Sequence, residues 1–273
     1  MSKPTHNPIR CFEGEAEPHE PFWKMVDAAD GNDPEIWLEG YISEYSWFED
    51  DITPKMFKDD LYRHGNNGPI TIRINSYGGD VVAAHTMHMI IRDYPGKVTT
   101  QIDAVAASAA TMVAIAGDVV KISNIGYFMI HDPSYVFFLA QLNIEEMTRL
   151  ANSLQAVKEG IVNAYEAKSG LSRARISKLM TDETWMDAQR ALDLGFVDEI
   201  VQKQEKVFDI PENAAVVNMV RNYANVPPQV MEAIESMRKP AEGESSAPVL
   251  TDEERDEARA LRERVDKILR KGA

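Results

Sequence analysis

Cysteine is almost absent from this chain of 273 residues, which contains only Cys11. A single thiol excludes an intramolecular disulfide framework and fits a reducing compartment. Cys11 also lies in a polar, proline-containing stretch, far along the chain from every other candidate site residue. We therefore expect neither structural disulfides nor a cysteine nucleophile.

Long apolar runs and an excess of positive charge are also lacking. No segment approaches the roughly 18 uninterrupted apolar residues that cross a membrane, and the N-terminus lacks the apolar core of a secretory signal. The net charge of −15 opposes the phosphate neutralisation on which general nucleic-acid binding depends. We expect a cytoplasmic protein that binds neither membranes nor nucleic acids.

Strand and helix patterns alternate through residues 34–205, which predicts an α/β domain. Residues 1–33 are polar, contain four prolines and form a predicted N-terminal arm. The predicted strands are 35–43, 69–75, 98–104, 119–122, 127–130 and 196–201. The predicted helices are 53–63, 81–94, 108–116, 144–168, 171–180 and 188–194.

Residues 206–273 differ in character and form a predicted charged, partly helical tail. Their net charge is only −2, so the acidity of the chain belongs to the α/β domain. The tail contains Pro227-Pro228 and a breaker-rich stretch at 239–248, after which Thr251-Asp-Glu-Glu254 resembles a capping box. The helix predicted from there to Lys271 alternates in charge, which favours a solvated helix over self-association.

Three residues or motifs suggest acyl-transfer chemistry. Ser108 lies at a predicted strand-to-helix junction, and the strands that follow it can return His131 to its side. Upstream, Gly78-Gly79 permits a tight turn with an exposed backbone N–H. Serine catalysis needs a nucleophile, a base and N–H donors for the oxyanion. Each feature alone is more typical of packing, of an ordinary strand-end histidine or of a simple turn.

Four motifs, in order and spacing, resemble those of the Clp protease proteolytic subunit family, and the resemblance covers about residues 35–203. They are Ile74-Asn-Ser-Tyr-Gly-Gly79, Ala106-Ala-Ser-Ala109, Met129-Ile-His-Asp-Pro133 and the stretch from Glu183 to Asp198. The Gly-Gly-Asp variant of the first motif and the Glu-Thr-Trp start of the last look most like the phage branch, the head maturation (prohead) proteases.

The resemblance implies a crotonase-like spiral of βαβ units followed by the helical tail. It assigns Ser108 as the nucleophile and His131 as the general base, with oxyanion N–H groups from Gly79 and Ala109. The third triad member departs from the family pattern, because Glu183 occupies the register where the family usually has aspartate, and Asp182 is its neighbour. We favour Glu183. The alternatives are Asp182, or a Ser-His dyad in which both acids are surface residues.

The resemblance also implies a serine endopeptidase that processes phage scaffold or capsid precursors in the host cytoplasm or within the prohead. It implies a homo-oligomeric ring, with two rings stacked through the helix at 144–168, and no metal or nucleotide cofactor. The N-terminal arm does not resemble that of members served by an unfoldase, so we expect no such partner. The tail is interpreted as a scaffold-like or targeting segment that self-cleavage removes. Two alternatives remain: an acyl-CoA hydratase or isomerase of the same superfold, and a catalytically silent structural ring.

Other residues are weaker candidates. His85 and His88 have a spacing on a predicted helix that can bind a metal, but no acidic or cysteine partner is evident, so we expect no metal site. Tyr77 stands where the resemblance leads us to expect proline. Trp23, Trp37 and Trp47 are predicted to be packing anchors.

Overall fold

The computed structural model describes residues 25–26, 33–42, 53–135, 141–202 and 219–236. All of them belong to one compact unit, Met1–Met237. The predictions for most of the N-terminal arm, for Cys11, for Trp23 and Trp47, and for the helix after residue 251 fall outside the described residues. No helix in the described ranges is long and apolar enough to cross a membrane.

One largely parallel sheet of eight strands organises the described part of the chain. The order is β1-β2-β3-β4-β5-β8, and β6 pairs with both β4 and β7. The β1–β2 and β6–β7 pairs are antiparallel and the others are parallel. The strands are β1 (Met25–Val26), β2 (Glu35–Ile42), β3 (Ile70–Gly79), β4 (Val98–Ala107), β5 (Val119–Ser123), β6 (Tyr127–Ile130), β7 (Thr184–Asp187) and β8 (Glu199–Val201).

The division of β4 between two partners positions the candidate site. Its first half, Thr99–Ile102, pairs with β5, whereas Val105–Ala107 pairs with β6. Because β4 and β6 run parallel and end side by side, the residues that follow them, Ser108 and His131, emerge at the same edge of the sheet.

Capping residues define the ends of several helices. They are α1 (Pro54–Gly65), α2 (Val81–Asp93), α3 (Ala109–Ala114), α4 (Ile144–Ser169), α5 (Arg173–Thr181), α6 (Ala188–Asp193) and α7 (Pro228–Ser236). Asn143 and Glu146 form a reciprocal capping box, and Gly170 ends the same helix in the left-handed conformation. Asp80 caps α2, with its carboxylate 2.7 Å from the Ala83 N–H. The helices predicted at 81–94 and 144–168 are thereby confirmed to within one residue at each end.

Two apolar clusters cover the sheet. The larger joins the buried residues of the strands to α1–α6 and includes the fully buried Phe128 and Phe196. The smaller packs Val220 and Val230 against buried residues of the sheet: Tyr77, Val105, Ala107 and Met129. Residues 219–236, called the C-terminal segment below, therefore have apolar anchors on the sheet.

Two local expectations need correction. The strand predicted at 69–75, which is β3 in the structure, continues to Gly79 rather than stopping at Asn75. It does so because Tyr41 and Ile42 on β2 pair with Gly78 and Gly79. The strand Thr184–Asp187 and helix α7 were not predicted. The expected α/β class, with a mostly parallel sheet flanked by helices, is confirmed.

Candidate active site

Ser108 occupies a strained junction between β4 and α3. Its backbone has φ 55° and ψ −127°, a region that non-glycine residues rarely adopt. The flanking Ala107 and Ala109 are buried, and the Ser108 N–H donates to the Met129 carbonyl at 2.9 Å. The surrounding structure thus holds a conformation that projects the hydroxyl from the end of the sheet.

His131 follows β6, and its Nε2 lies 2.6 Å from Ser108 Oγ. Burial lowers the pKa of this histidine below its ordinary value of 6.5, and the negative charges of Glu183 and Asp132 act in the opposite direction. The imidazole is therefore neutral at pH 7. A neutral imidazole can accept the serine proton.

The backbone of Gly78 and Gly79 passes directly beside the serine. Gly78 has φ +107°, and a Cβ there would lie 2.7 Å from the Ala107 carbonyl oxygen and 2.8 Å from Ser108 Cβ. The Asp80 N–H donates to the Ile42 carbonyl on β2, so it is not available to an oxyanion. Ala109 opens α3, and the first N–H groups of a helix have no acceptor within it. The N–H groups of Gly79 and Ala109 remain the candidate oxyanion donors.

The two candidate acids differ in their surroundings. The antiparallel register pairs Ile130 with Thr184, so its continuation sets Glu183 opposite His131. Asp182 is exposed and forms an ion pair with Lys178 at 2.7 Å. Glu183 thus acts electrostatically on His131, whereas Asp182 faces solvent.

Glu183 does not, however, bond to His131. Within the described part of the chain, the hydrogen bonding of the His131 ring consists of the contact with Ser108. The Glu183 carboxylate accepts instead from the backbone N–H groups of Ala224 and Asn225, at 2.8 and 2.7 Å. Glu183 itself has φ 45°, a second left-handed residue in the site.

A largely apolar cavity opens beside the Ser108–His131 pair. Its position suits a substrate side chain next to the bond that the serine would attack. It is lined by Val81, Ser108, Ala109, Met112, His131, Pro133, Ile161 and Tyr165.

The Clp protease family model matches residues 45–204, which is more than half of the chain. The chain belongs to the Clp protease family. The members of this family are serine peptidases. The expected membership is thus confirmed at the level of the family.

Curated relatives support the same membership. The chain is 26% identical over 141 residues to ATP-dependent Clp protease proteolytic subunit 1 of Protochlamydia amoebophila, covering 51% of this chain and 68% of the relative. It is 29% identical over 136 residues to subunit 2 of Borreliella burgdorferi, covering 49% and 67%. Among solved structures, a mutant ClpP1 from Listeria monocytogenes matches with a TM-score of 0.54 and 24% identity, covering 63% of this chain and 92% of that one. That likeness concerns the fold.

Tyr223 is a residue at the site that the sequence did not reveal. Its ring packs edge-on against His131, with 5.1 Å between centroids, and against Trp185 at 6.1 Å. Its hydroxyl donates to the Tyr77 carbonyl at 2.9 Å, and burial raises the pKa of that hydroxyl. A signal was available, because Val220, Tyr223, Val226 and Val230 recur at intervals of three or four in a charged tail.

The histidine pair on α2 belongs to the helix packing. Both rings are partly buried, and His88 Nδ1 lies 2.8 Å from the Met112 carbonyl oxygen. Burial lowers the pKa of both. In the part of the chain that the structure describes, no group of three or more potential ligands could hold a metal ion.

Proposed function

We propose that this protein is a serine endopeptidase with Ser108 as nucleophile and His131 as general base. The observation that carries the proposal is the 2.6 Å contact between Ser108 Oγ and His131 Nε2 in a strained strand-to-helix turn. Strain at such a residue is maintained only where the surroundings enforce it, and it is concentrated at functional sites.

The chemistry follows from the positions of the atoms. Ser108 Oγ attacks the scissile carbonyl carbon while its proton passes to His131, and the oxyanion receives the Gly79 and Ala109 N–H groups. The imidazolium then returns that proton to the departing amine, leaving an acyl-serine. Water, deprotonated by His131, hydrolyses the ester and restores the serine. Glu183 is the acid that stabilises the imidazolium, with Asp182 as the alternative.

The proposed substrate is a polypeptide with an apolar side chain for the cavity beside Ser108. Two motif features, Gly-Gly-Asp80 and Glu183-Thr-Trp, support the finer proposal of a phage head maturation protease acting on scaffold or capsid precursors. We further propose a homo-oligomeric ring, stacked through α4, that works without a metal, a nucleotide or an unfoldase partner. These assignments add a proposed substrate, a biological role and an assembly to the family membership.

Active-site labelling tests the proposal. A fluorophosphonate should label the protein on Ser108, because only an activated serine reacts quickly with it. Ser108→Ala should abolish labelling, and His131→Ala should slow it at least about a hundredfold. Peptide mapping locates the label and circular dichroism checks the fold. A folded, assembled protein that takes no label would contradict the proposal and favour a silent structural ring.

The tail at 206–273 is proposed as a separate scaffold-like or targeting segment that the enzyme removes from itself. The proposal rests on the shift in composition beyond residue 205. Intact mass spectrometry after incubation should show a shortened chain for the wild type and the full chain for Ser108→Ala. Identical masses would end the self-cleavage proposal without affecting the labelling result.

A further inference from the structure

We infer that the C-terminal segment is an internal latch that slows the proposed protease. The inference rests on the proposed function, and it concerns how that site is controlled. A single stretch, residues 223–225, contacts both the candidate base and the candidate acid, which flank two different strands of the sheet.

On the base side, Tyr223 packs against His131. The tyrosine hydroxyl donates to the Tyr77 carbonyl, which holds the ring edge-on to the imidazole with 5.1 Å between centroids. The ring occupies space beside the imidazole that a substrate would otherwise enter. This arrangement restricts access to the residue that must accept the serine proton.

On the acid side, the backbone of the same stretch binds Glu183. Two N–H donors, from Ala224 and Asn225, occupy the carboxylate, and Asn225 Nδ2 also donates to the Asp182 carbonyl at 3.1 Å. The register nonetheless sets Glu183 opposite His131. The acid therefore lies near the imidazole but is bound to the C-terminal segment.

Apolar anchors hold the stretch in place from both ends. Val220 before it is fully buried, and Val230 after it is 4% exposed. Both pack on Tyr77 and Met129, the residues whose backbone carbonyls bind Tyr223 and Ser108. Displacing the segment therefore exposes apolar surface, so release requires a partner surface or a substrate that covers it.

Two substitutions in the full-length protein test the latch. Tyr223→Phe keeps the ring but removes the hydrogen bond that holds it to the Tyr77 carbonyl. The segment should then open more often, and Ser108 should react with the fluorophosphonate about fivefold faster, the effect of one hydrogen bond. Tyr223→Ala also removes the ring from His131, and the gain should exceed tenfold. Tyr62→Phe is the matched control, because Tyr62 lies on α1, is 38% exposed and packs on Tyr94. Its labelling rate should equal that of the wild type.

Hydrogen exchange of the same variants provides a readout that does not depend on activity. Backbone amides of residues 219–236 should exchange faster in Tyr223→Ala, and the β3 and β4 amides should remain protected. Hydrolysis of a short peptide should rise in parallel with labelling.

The outcomes distinguish a failure of the latch from a failure of the proposed protease activity. A wild type that takes label, with variants that react equally fast or more slowly, would overturn the latch and identify Tyr223 as a positioning residue. If neither the wild type nor any variant takes label, the proposed protease activity fails and the latch fails with it. Faster labelling in both variants, with an unchanged control, supports both.

Discussion

The two halves of the candidate site are built differently. The half that holds Ser108 and His131 is made by the sheet, because both residues follow paired strands and are flanked by buried residues such as Ala107 and Ile130. The half that holds Glu183 depends on hydrogen bonds from residues more than 40 positions further along the chain. Ser108 and His131 thus have a geometry fixed by the fold, whereas the environment of Glu183 can change without unfolding the sheet.

The largest effect is expected from a change in the rigid half of the site, the half that holds Ser108 and His131. Gly78→Ala places a Cβ 2.7 Å from the Ala107 carbonyl oxygen at a φ of +107°, so the turn beside Ser108 must shift. We expect a loss of about 2 kcal/mol or more in the free energy of unfolding, and almost no labelling of Ser108. Urea denaturation and fluorophosphonate labelling measure the two.

Gly170→Ala is the matched control for this change. Gly170 also has a positive φ, +70°, but a Cβ there meets nothing within 4 Å. Its cost should be about 1 kcal/mol, from the backbone alone, and the labelling rate should not change. Equal loss of labelling in both variants would show that general instability, rather than the geometry beside Ser108, determines the outcome.

A smaller effect on labelling is expected in the half of the site that holds Glu183. Glu183→Gln removes the charge that stabilises the imidazolium, so labelling should slow by about tenfold, the equivalent of one pKa unit. The charge of Glu183 also raises the pKa of His131. The rate falls as the pH drops through that pKa, because protonated His131 accepts no proton. The acidic limb of the pH profile should therefore move to lower pH in the variant.

The smallest effect is expected for Asp182→Asn. Its carboxylate is exposed and paired with Lys178, and it does not contribute to the pKa of His131. We expect less than a twofold change in labelling rate and an unshifted acidic limb. If this variant instead shows the larger change, Asp182 is the triad acid, and Asp182 rather than Glu183 belongs to the second half of the site.

Local patterns predicted much of the rigid half. The small residues around Ser108, the β-branched run before Gly78-Gly79 and the strand before His131 are each visible in the sequence. The capping box of Asn143 and the stop at Gly170 were predictable for the same reason, since capping depends on residues a few positions apart. The end of β3 was missed because pairing with β2 outweighs the turn preference of its glycines.

Local patterns did not predict the half of the site that holds Glu183. The strand Thr184–Asp187 has four residues and an antiparallel partner more than 50 positions earlier, so no periodicity identifies it. The role of Tyr223 depends on a contact with Tyr77 across 146 positions. Pro227 and Pro228 lie between Val220 and Val230 and interrupt their helical spacing, although Pro228 at the start of α7 is a typical helix opening.

The distance along the chain between Tyr77 and Tyr223 has a consequence for biosynthesis. A ribosome adds roughly 5–20 residues each second, from the N-terminus onward. Ser108 and His131, and the strands that hold them, are therefore complete several seconds before Tyr223 is made. During that interval a nascent chain has Ser108 and His131 but not the tyrosine whose ring packs on His131. The proposed latch can therefore act only after synthesis has passed residue 223.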